Sequence, residues 1–220
     1  MITNTFSQDR RVENIPTFDD RKLHYGFYLG VNQNDFKINL RRNTIDAEIQ
    51  SEPTMGFNVG LIADYRLHKN LNLRFEPGLV SNSKTINFNH ISDETKSIRE
   101  IGSTYLHVPL ILKFSTHRIG NVKPYLLGGI SYDYNFSSNE GNQDDNFAGE
   151  FRMKTSNFMY EVGIGMDFYL SYFKFSPSIR GVFALNNEIK YDNPASGSSQ
   201  WTDPVNYFGT RGVFLNFAFE

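Results

Sequence analysis

Residues 105–136 read YLHVPLILKFSTHRIGNVKPYLLGGISYDYNF, and their periodicity decides the fold class. In the first half, Leu106, Val108, Leu110, Leu112 and Phe114 fall on one side of an extended chain. Tyr105, His107, Pro109, Ile111 and Lys113 fall on the other. In the second half, Leu126, Ile130, Tyr132, Tyr134 and Phe136 oppose Lys123, Ser131, Asp133 and Asn135. Side chains alternate sides along a strand, so each half has one apolar wall and one mixed wall. A helix would need apolar residues three and four apart, a spacing this stretch does not keep. It is predicted to be a β-hairpin turning over residues 116–122.

The same alternation recurs on both sides. Upstream, Leu23 to Val31 alternates against His24, Gly26, Tyr28 and Gly30. Met55 to Tyr65 alternates against Gly56, Asn58, Gly60 and Asp64, and Leu71 to Leu79 against Asn72, Arg74, Glu76 and Gly78. Downstream, Phe158 to Phe168 alternates against Glu161, Gly163, Gly165 and Asp167. Phe173 to Leu185 opposes Lys174, Ser176, Ser178 and Arg180, and Val213 to Phe219 opposes Gly212, Asn216 and Ala218. With the hairpin this makes eight strands, joined alternately by long and short connections. An even strand number with brief turns at one end and long loops at the other is the pattern of a transmembrane barrel. The expected fold is all-β, an eight-stranded antiparallel up-and-down barrel of the outer membrane. Both termini fall on the short-turn, periplasmic side, and the long loops are extracellular.

A soluble calyx would alternate too, with its apolar face turned inward. The content of the polar face separates the two. It is rich in small residues such as Gly26, Gly30, Gly60, Gly163, Ser176 and Ala218, as a narrow eight-stranded lumen filled by side chains requires. Its long residues carry both signs: Asp64, Arg66, Arg74, Glu76, Lys113, Glu161, Asp167, Lys174 and Arg180. Charges confined in a lumen must pair, and these are the expected lumen network. The apolar face is uninterrupted and gathers Tyr and Phe at strand ends, as interfacial girdles do. It is read as facing outer-membrane lipid or lipopolysaccharide.

Composition agrees and narrows the function classes. Among 220 residues, 20 Phe and 12 Tyr against a single Trp favour strands over helices. The net charge of −2 and the lack of a basic run give no reason to expect nucleic acid. There is no Cys, which excludes disulfides, thiolate metal sites and Cys nucleophiles. No apolar run approaches the roughly 18 residues of a spanning helix. Residues 1–21 are polar and aperiodic, and read as a periplasmic arm ahead of a barrel over residues 22–220. The arm has no hydrophobic core and is not a signal peptide, so a leader is expected to have been removed.

Candidate chemistry is sparse. His24 and His107 face the lumen and His68, His90 and His117 lie in or near turns and loops, with no metal-binding spacing among them. Glu161 beside Arg180 and Lys174 has the make-up of a perturbed acid, yet a structural ion-pair plug explains it more simply. Glu140, Asp144, Asp145 and Glu150 supply oxygen ligands without an EF-hand spacing, and read as a solvated loop. No GxSxG elbow is present. The Gly128–Gly129 pair sits mid-strand, where it cannot cradle a phosphate. Neither catalysis, cofactor nor metal is expected.

Three segments carry a family resemblance: FDDRKLHYGFYLGVNQNDFKI at residues 18–38, TYLHVPLILKF at 104–114 and KPYLLGGISYDYN at 123–135. They resemble the PorT/SprT family of outer-membrane barrels of the Bacteroidetes type IX secretion system. HYGFYLGVN is the most specific part, while the other two recur widely among barrels of that phylum. The resemblance implies an accessory component for export of proteins with C-terminal sorting signals, and for gliding motility, with other secretion subunits as partners. It offers no catalytic motif. It is strongest where the arm meets the first strand, which marks Phe18, Asp19 and Asp20 as expected partner contacts. A structural or adhesive barrel, and a lipid-binding or lipid-modifying one, remain open beside it.

Overall fold

The computed structural model of the chain describes residues 13–40, 49–88, 98–138, 140–141, 152–191 and 204–220. Eight antiparallel strands form a closed ring. They are β1 (Leu23–Leu40), β2 (Thr54–His68, preceded by a short piece Ile49–Glu52), β3 (Leu71–Phe75 and Gly78–Phe88) and β4 (Ile98–Ser115). The others are β5 (Val122–Asn135), β6 (Ser156–Tyr169), β7 (Lys174–Ala184) and β8 (Val205–Phe219). Each strand pairs with its neighbour in sequence, and β8 returns to β1 through the register Phe27↔Phe219 to Asn34↔Gly212. Over residues 27–34 the first strand is paired on both sides, so the ring is closed where a sheet in lipid cannot tolerate an open edge, while residues 35–40 and Ile49–Glu52 each pair on one side among the described residues.

Two prolines interrupt strands without ending them. Pro77 divides β3, yet the pairing with β4 keeps one register from Phe75↔Leu110 to Gly78↔His107. The backbone N–H of Glu76 still reaches Pro109 O at 3.3 Å, and Pro77 O accepts the N–H of Leu61 at 2.9 Å. The break therefore holds Glu76 in place. Pro53 separates the two pieces of β2, and the pairing with β3 slips by one residue between Glu52↔Thr85 and Phe57↔Ser81.

The alternation settles which wall is outside. Leu23, Tyr25, Phe27, Leu29 and Val31 are exposed along β1, while His24, Tyr28, Asn32 and Asn34 are buried. On the hairpin of β4 and β5, Leu110 is 45% and Ile130 60% exposed, against 2% for Lys113. A soluble calyx would show the reverse. An apolar belt running around the whole outside of a ring is a lipid-facing surface. Among the described residues no helix is long and apolar enough to cross a membrane; the apolar belt lies on the strands.

Several strands outrun their hydrophobic pattern. β1 and β4 are 18 residues each, whereas a tilted strand crosses lipid in about 9–11. Ile49–Glu52, which falls between the alternating stretches Leu23 to Val31 and Met55 to Tyr65, is paired with Thr85–Phe88. Beyond the lipid both faces of a strand are wet, and alternation no longer marks it. The long connections after β5 and β7 also touch each other through a bridge between Met153 and Ile189.

Candidate functional site

The inward parity of six strands brings the charged side chains into one buried assembly. Nearest the short turns, Lys113 of β4 reaches both oxygens of Asp167 of β6 at 2.7 Å. Ser176 Oγ of β7 donates to the same carboxylate at 2.6 Å. Lys174 Nζ pairs with Glu220 Oε2 at 2.8 Å, and Arg74 Nη2 meets Glu220 Oε1 at 3.2 Å. Arg74 Nε lies 2.8 Å from Glu76 Oε1 and 3.6 Å from Asp64 Oδ2, and Asn72 donates to the other oxygen of Asp64 at 2.5 Å. Arg74 holds these partners as charge pairs, none aligned as a hydrogen bond.

Deeper in, Glu76 is the hub. Its second oxygen accepts Arg180 Nη1 at 2.5 Å. Glu76 is on β3 and Arg180 on β7, diametrically opposite strands of an eight-strand ring, so this pair closes the lumen across its width. Arg180 also lies 3.8 Å from Glu161, whose other oxygen meets His107 Nε2 at 3.0 Å. His107 Nδ1 then meets Asp133 at 2.6 Å. Asp64, Arg74, Glu76 and Glu161 are all buried. Each charge is consequently held by an opposite one, as burial requires.

Of the nine expected lumen charges, eight belong to this assembly and Arg66 stands apart. Arg66 is half-buried on β2 close to its turn and makes no ion pair with a described residue. It lines the mouth below the network. Lys174, read from sequence as a neighbour of Glu161, pairs instead with Glu220. The assembly also takes in Asp133 and Glu220, which the expected network lacked, and His107, which the sequence reading turned to the lumen without counting it among the charges. The parity that places Asn216 and Ala218 inside would have placed Glu220 there too.

The arm is the second part of the site. Thr17 leads into a 3₁₀ turn, Phe18–Asp20, laid against the short-turn mouth. The Phe18 ring stacks on His24 at 4.2 Å and 14°, meets Tyr169 edge-on at 5.9 Å, and has Lys174 Nζ 4.7 Å from its centre. Asp19 accepts from Tyr169 Oη at 2.9 Å and lies 3.5 Å from Lys123 Nζ. Asn14 donates to Asn121 Oδ1 at 2.8 Å, and its carbonyl accepts from Arg118. The sequence reading offers Phe18, Asp19 and Asp20 to a partner. The barrel itself engages the first two, and Asp20 alone of the three is exposed.

The β8–β1–β2–β3 side of the lumen differs. Asn82 donates to Asn32 at 3.0 Å, Asn32 to Asn58 at 3.5 Å, and Asn58 to Asn216 at 2.6 Å. The amides need close approach: a Cβ on Gly30 would strike Asn216 Oδ1 and lie 2.7 Å from Asn58 Nδ2. Among the described residues no cluster of His, Asp or Glu is arranged to hold a metal ion. Of the acidic-loop residues, Glu140 is described, and Asp144, Asp145 and Glu150 lie outside the described residues.

Comparison with known proteins bears on the whole ring. Residues 6–190 match the family described as outer membrane protein beta-barrel domain. No curated protein matches the sequence. Among solved structures, Neisserial surface protein A is similar at a TM-score of 0.51 and 10% identity, over 90% of this chain and 98% of that one. OprG of Pseudomonas aeruginosa aligns at 0.47 and 13% identity, over 90% and 93%. Ail of Yersinia pestis aligns at 0.42 and 12%, over 90% and 99%. At 10% identity the likeness to Neisserial surface protein A speaks for the fold alone.

Proposed function

Because the chain belongs to the outer membrane β-barrel domain family, we propose that this small outer-membrane barrel is an accessory component of type IX protein secretion, and of gliding where the cell glides. It acts through contacts with other subunits rather than as a conduit or a catalyst. The observation that carries the second half is the Glu76–Arg180 pair at 2.5 Å, which spans the lumen between opposite strands. A pore for folded cargo would need that space open. The support for the first half is the resemblance of residues 18–38 to the PorT/SprT family.

The test is a deletion strain complemented with the wild-type chain. Loss of release of cargo bearing C-terminal sorting signals, with the rest of the outer-membrane proteome unchanged, is the expected outcome. Purification of the tagged barrel from native outer membrane should bring translocon subunits with it. Normal cargo release in the deletion strain would overturn the secretion role and leave a structural or adhesive barrel, or a lipid-binding or lipid-modifying one.

A further inference from the structure

The short-turn mouth is built as a binding site, and the arm fills it. Its aromatic slot is made by three strands: the His24 ring of β1 below Phe18, the Tyr169 edge of β6 beside it, and the Lys174 ammonium of β7 over its face. Stacking, edge contact and a cation over the ring face are each favourable for any aromatic, not for Phe18 in particular. Next to the slot, Tyr169 Oη and Lys123 Nζ form a carboxylate seat, taken by Asp19. The two subsites are adjacent, so they read a residue pair.

We propose that this mouth is a receptor for a peptide bearing an aromatic residue followed by a carboxylate, that Phe18 and Asp19 occupy it as an internal ligand, and that a partner polypeptide with the same pair displaces them.

Three features favour exchange over a permanent plug. The arm enters through Ile15 at φ 47°, a left-handed conformation that a β-branched residue resists. Leaving the mouth releases that strain. The 3₁₀ turn carrying the pair has no side-chain cap, so backbone bonds such as Asp20 N–H to Thr17 O and Arg21 N–H to Phe18 O are what hold its shape. The fit is also incomplete: a cavity of about 10 Å³, lined by Phe18, Asp19, Arg66, Lys113, Lys123 and Asp167, remains beneath the arm. That is room for a single water. His24, nine-tenths buried at the same place, has its Nδ1 without a partner among the described residues.

Charge sets the chemistry of the incoming group. When the arm departs it removes Asp19, the one carboxylate paired with Lys123 among the described residues. Arg66 at the same rim already lacks an ion pair with a described residue. Lys113 and Lys174 stay matched by Asp167 and Glu220. The open mouth is therefore net cationic, and it selects a carboxylate over an amine or a neutral peptide. The inference does not depend on the secretion reading, because it concerns the isolated barrel.

The experiment uses the full chain in detergent micelles and a fluorescent peptide of residues 13–22, ENIPTFDDRK. Against the wild-type chain the tethered arm competes at an effective concentration of millimolar order, and binding should be weak. In the variant Phe18→Ala with Asp19→Ala the site is vacant, and the peptide should bind at least tenfold more tightly. Adding Lys123→Ala and Tyr169→Phe should return binding to the weak level, and a peptide with Ala at both positions should not bind. Equal affinity for the wild-type and vacated barrels, or equal binding of the Ala peptide, would overturn the proposal. Should the vacated variant not fold, the wild-type chain still decides. Millimolar peptide must speed amide exchange at Asp20 and Arg21, whose N–H groups bond Thr17 O and Phe18 O, and unchanged exchange overturns it.

Discussion

The two sides of the lumen solve one packing problem with different chemistry. From β3 round to β7 the inner wall carries ions: Glu76, His107, Lys113, Asp133, Glu161, Asp167, Lys174 and Arg180. Round β8, β1 and β2, apart from Asp64 and Glu220 at the short-turn end, it carries amides and glycines, with Asn32, Asn58 and Asn216 in a hydrogen-bonded chain. Glycines on the inner wall give room to long side chains from neighbouring strands. Tyr28, for instance, lies across Gly60 and Gly78, where a Cβ on either residue would strike its ring or hydroxyl. The difference teaches where stability is brittle. An amide that loses its partner leaves a dipole, whereas an ion that loses its partner leaves a buried charge.

The largest expected effect is therefore Glu76→Ala. It takes the nearest carboxylate from both Arg74 and Arg180, leaving them Glu220 at 3.2 Å and Glu161 at 3.8 Å, and breaking a buried pair in this way costs about 3–5 kcal/mol. Glu161→Ala should cost less, since Arg180 keeps Glu76 at 2.5 Å. Denaturant titration of the refolded barrel in lipid measures both. If Glu161→Ala proved the more damaging, Glu76 would not be the hub.

The outer wall gives the next effect. Arg at Ile130, or at its cross-strand partner Leu110, sets a charge in mid-strand facing lipid, at a cost of roughly 2–4 kcal/mol. The same change at Ile119, exposed in the turn ahead of β5, should be nearly silent. A flat response across these three positions would argue that no depth gradient exists, and hence no bilayer around them.

These two effects also separate what the sequence made legible from what it did not. Period-two alternation marks Ile130 as outward and Glu76 as inward without any knowledge of the closed ring. Strand number and loop asymmetry follow from the same pattern. Which charge meets which does not, because a tilted, staggered ring decides who faces whom across the bore. Nothing local brings Arg180 to Glu76 rather than to Glu161, and Lys174 could be assigned to Glu220 only once β8 had closed beside β7. The arm was hidden for another reason. Its hold on the mouth rests on scattered contacts from Asn14, Phe18 and Asp19, which have no period. Polar strand ends such as Ile49–Glu52 were hidden because the apolar signal stops where the lipid does.

On the amide side the expected loss is smaller. Asn58→Ala removes the donor to Asn216 and the acceptor for Asn32, a change worth about 1–3 kcal/mol for buried neutral groups. Measured beside Glu76→Ala in the same titration, it tests the comparison directly. Equal losses would mean that the bore is wet enough to screen its ions.

The smallest effect lies at the long-loop end, outside the membrane. Glu140 Oε2 accepts the backbone N–H of Thr155 at 2.9 Å, and Oε1 lies 3.7 Å from Lys190. The Thr155 hydrogen bond is the main cause that holds its carboxyl below the ordinary value, with Lys190 and Lys154 adding to it. A carboxyl depressed on folding stabilises the charged, folded form. Its contribution is fully present above the unfolded carboxyl pKa and disappears as pH falls through the lower folded one. Raising the pH above neutrality should change nothing at this contact. Solvent screening keeps the effect local, so the measurement is amide exchange at Thr155 rather than global unfolding. Glu140→Gln should lose protection there at neutral pH, and acidification should bring the wild-type chain to the level of the variant. Protection in the wild-type chain that stays constant on acidification would show that the loop is held by Ser138 and its bonds to Met153 and Thr155 instead.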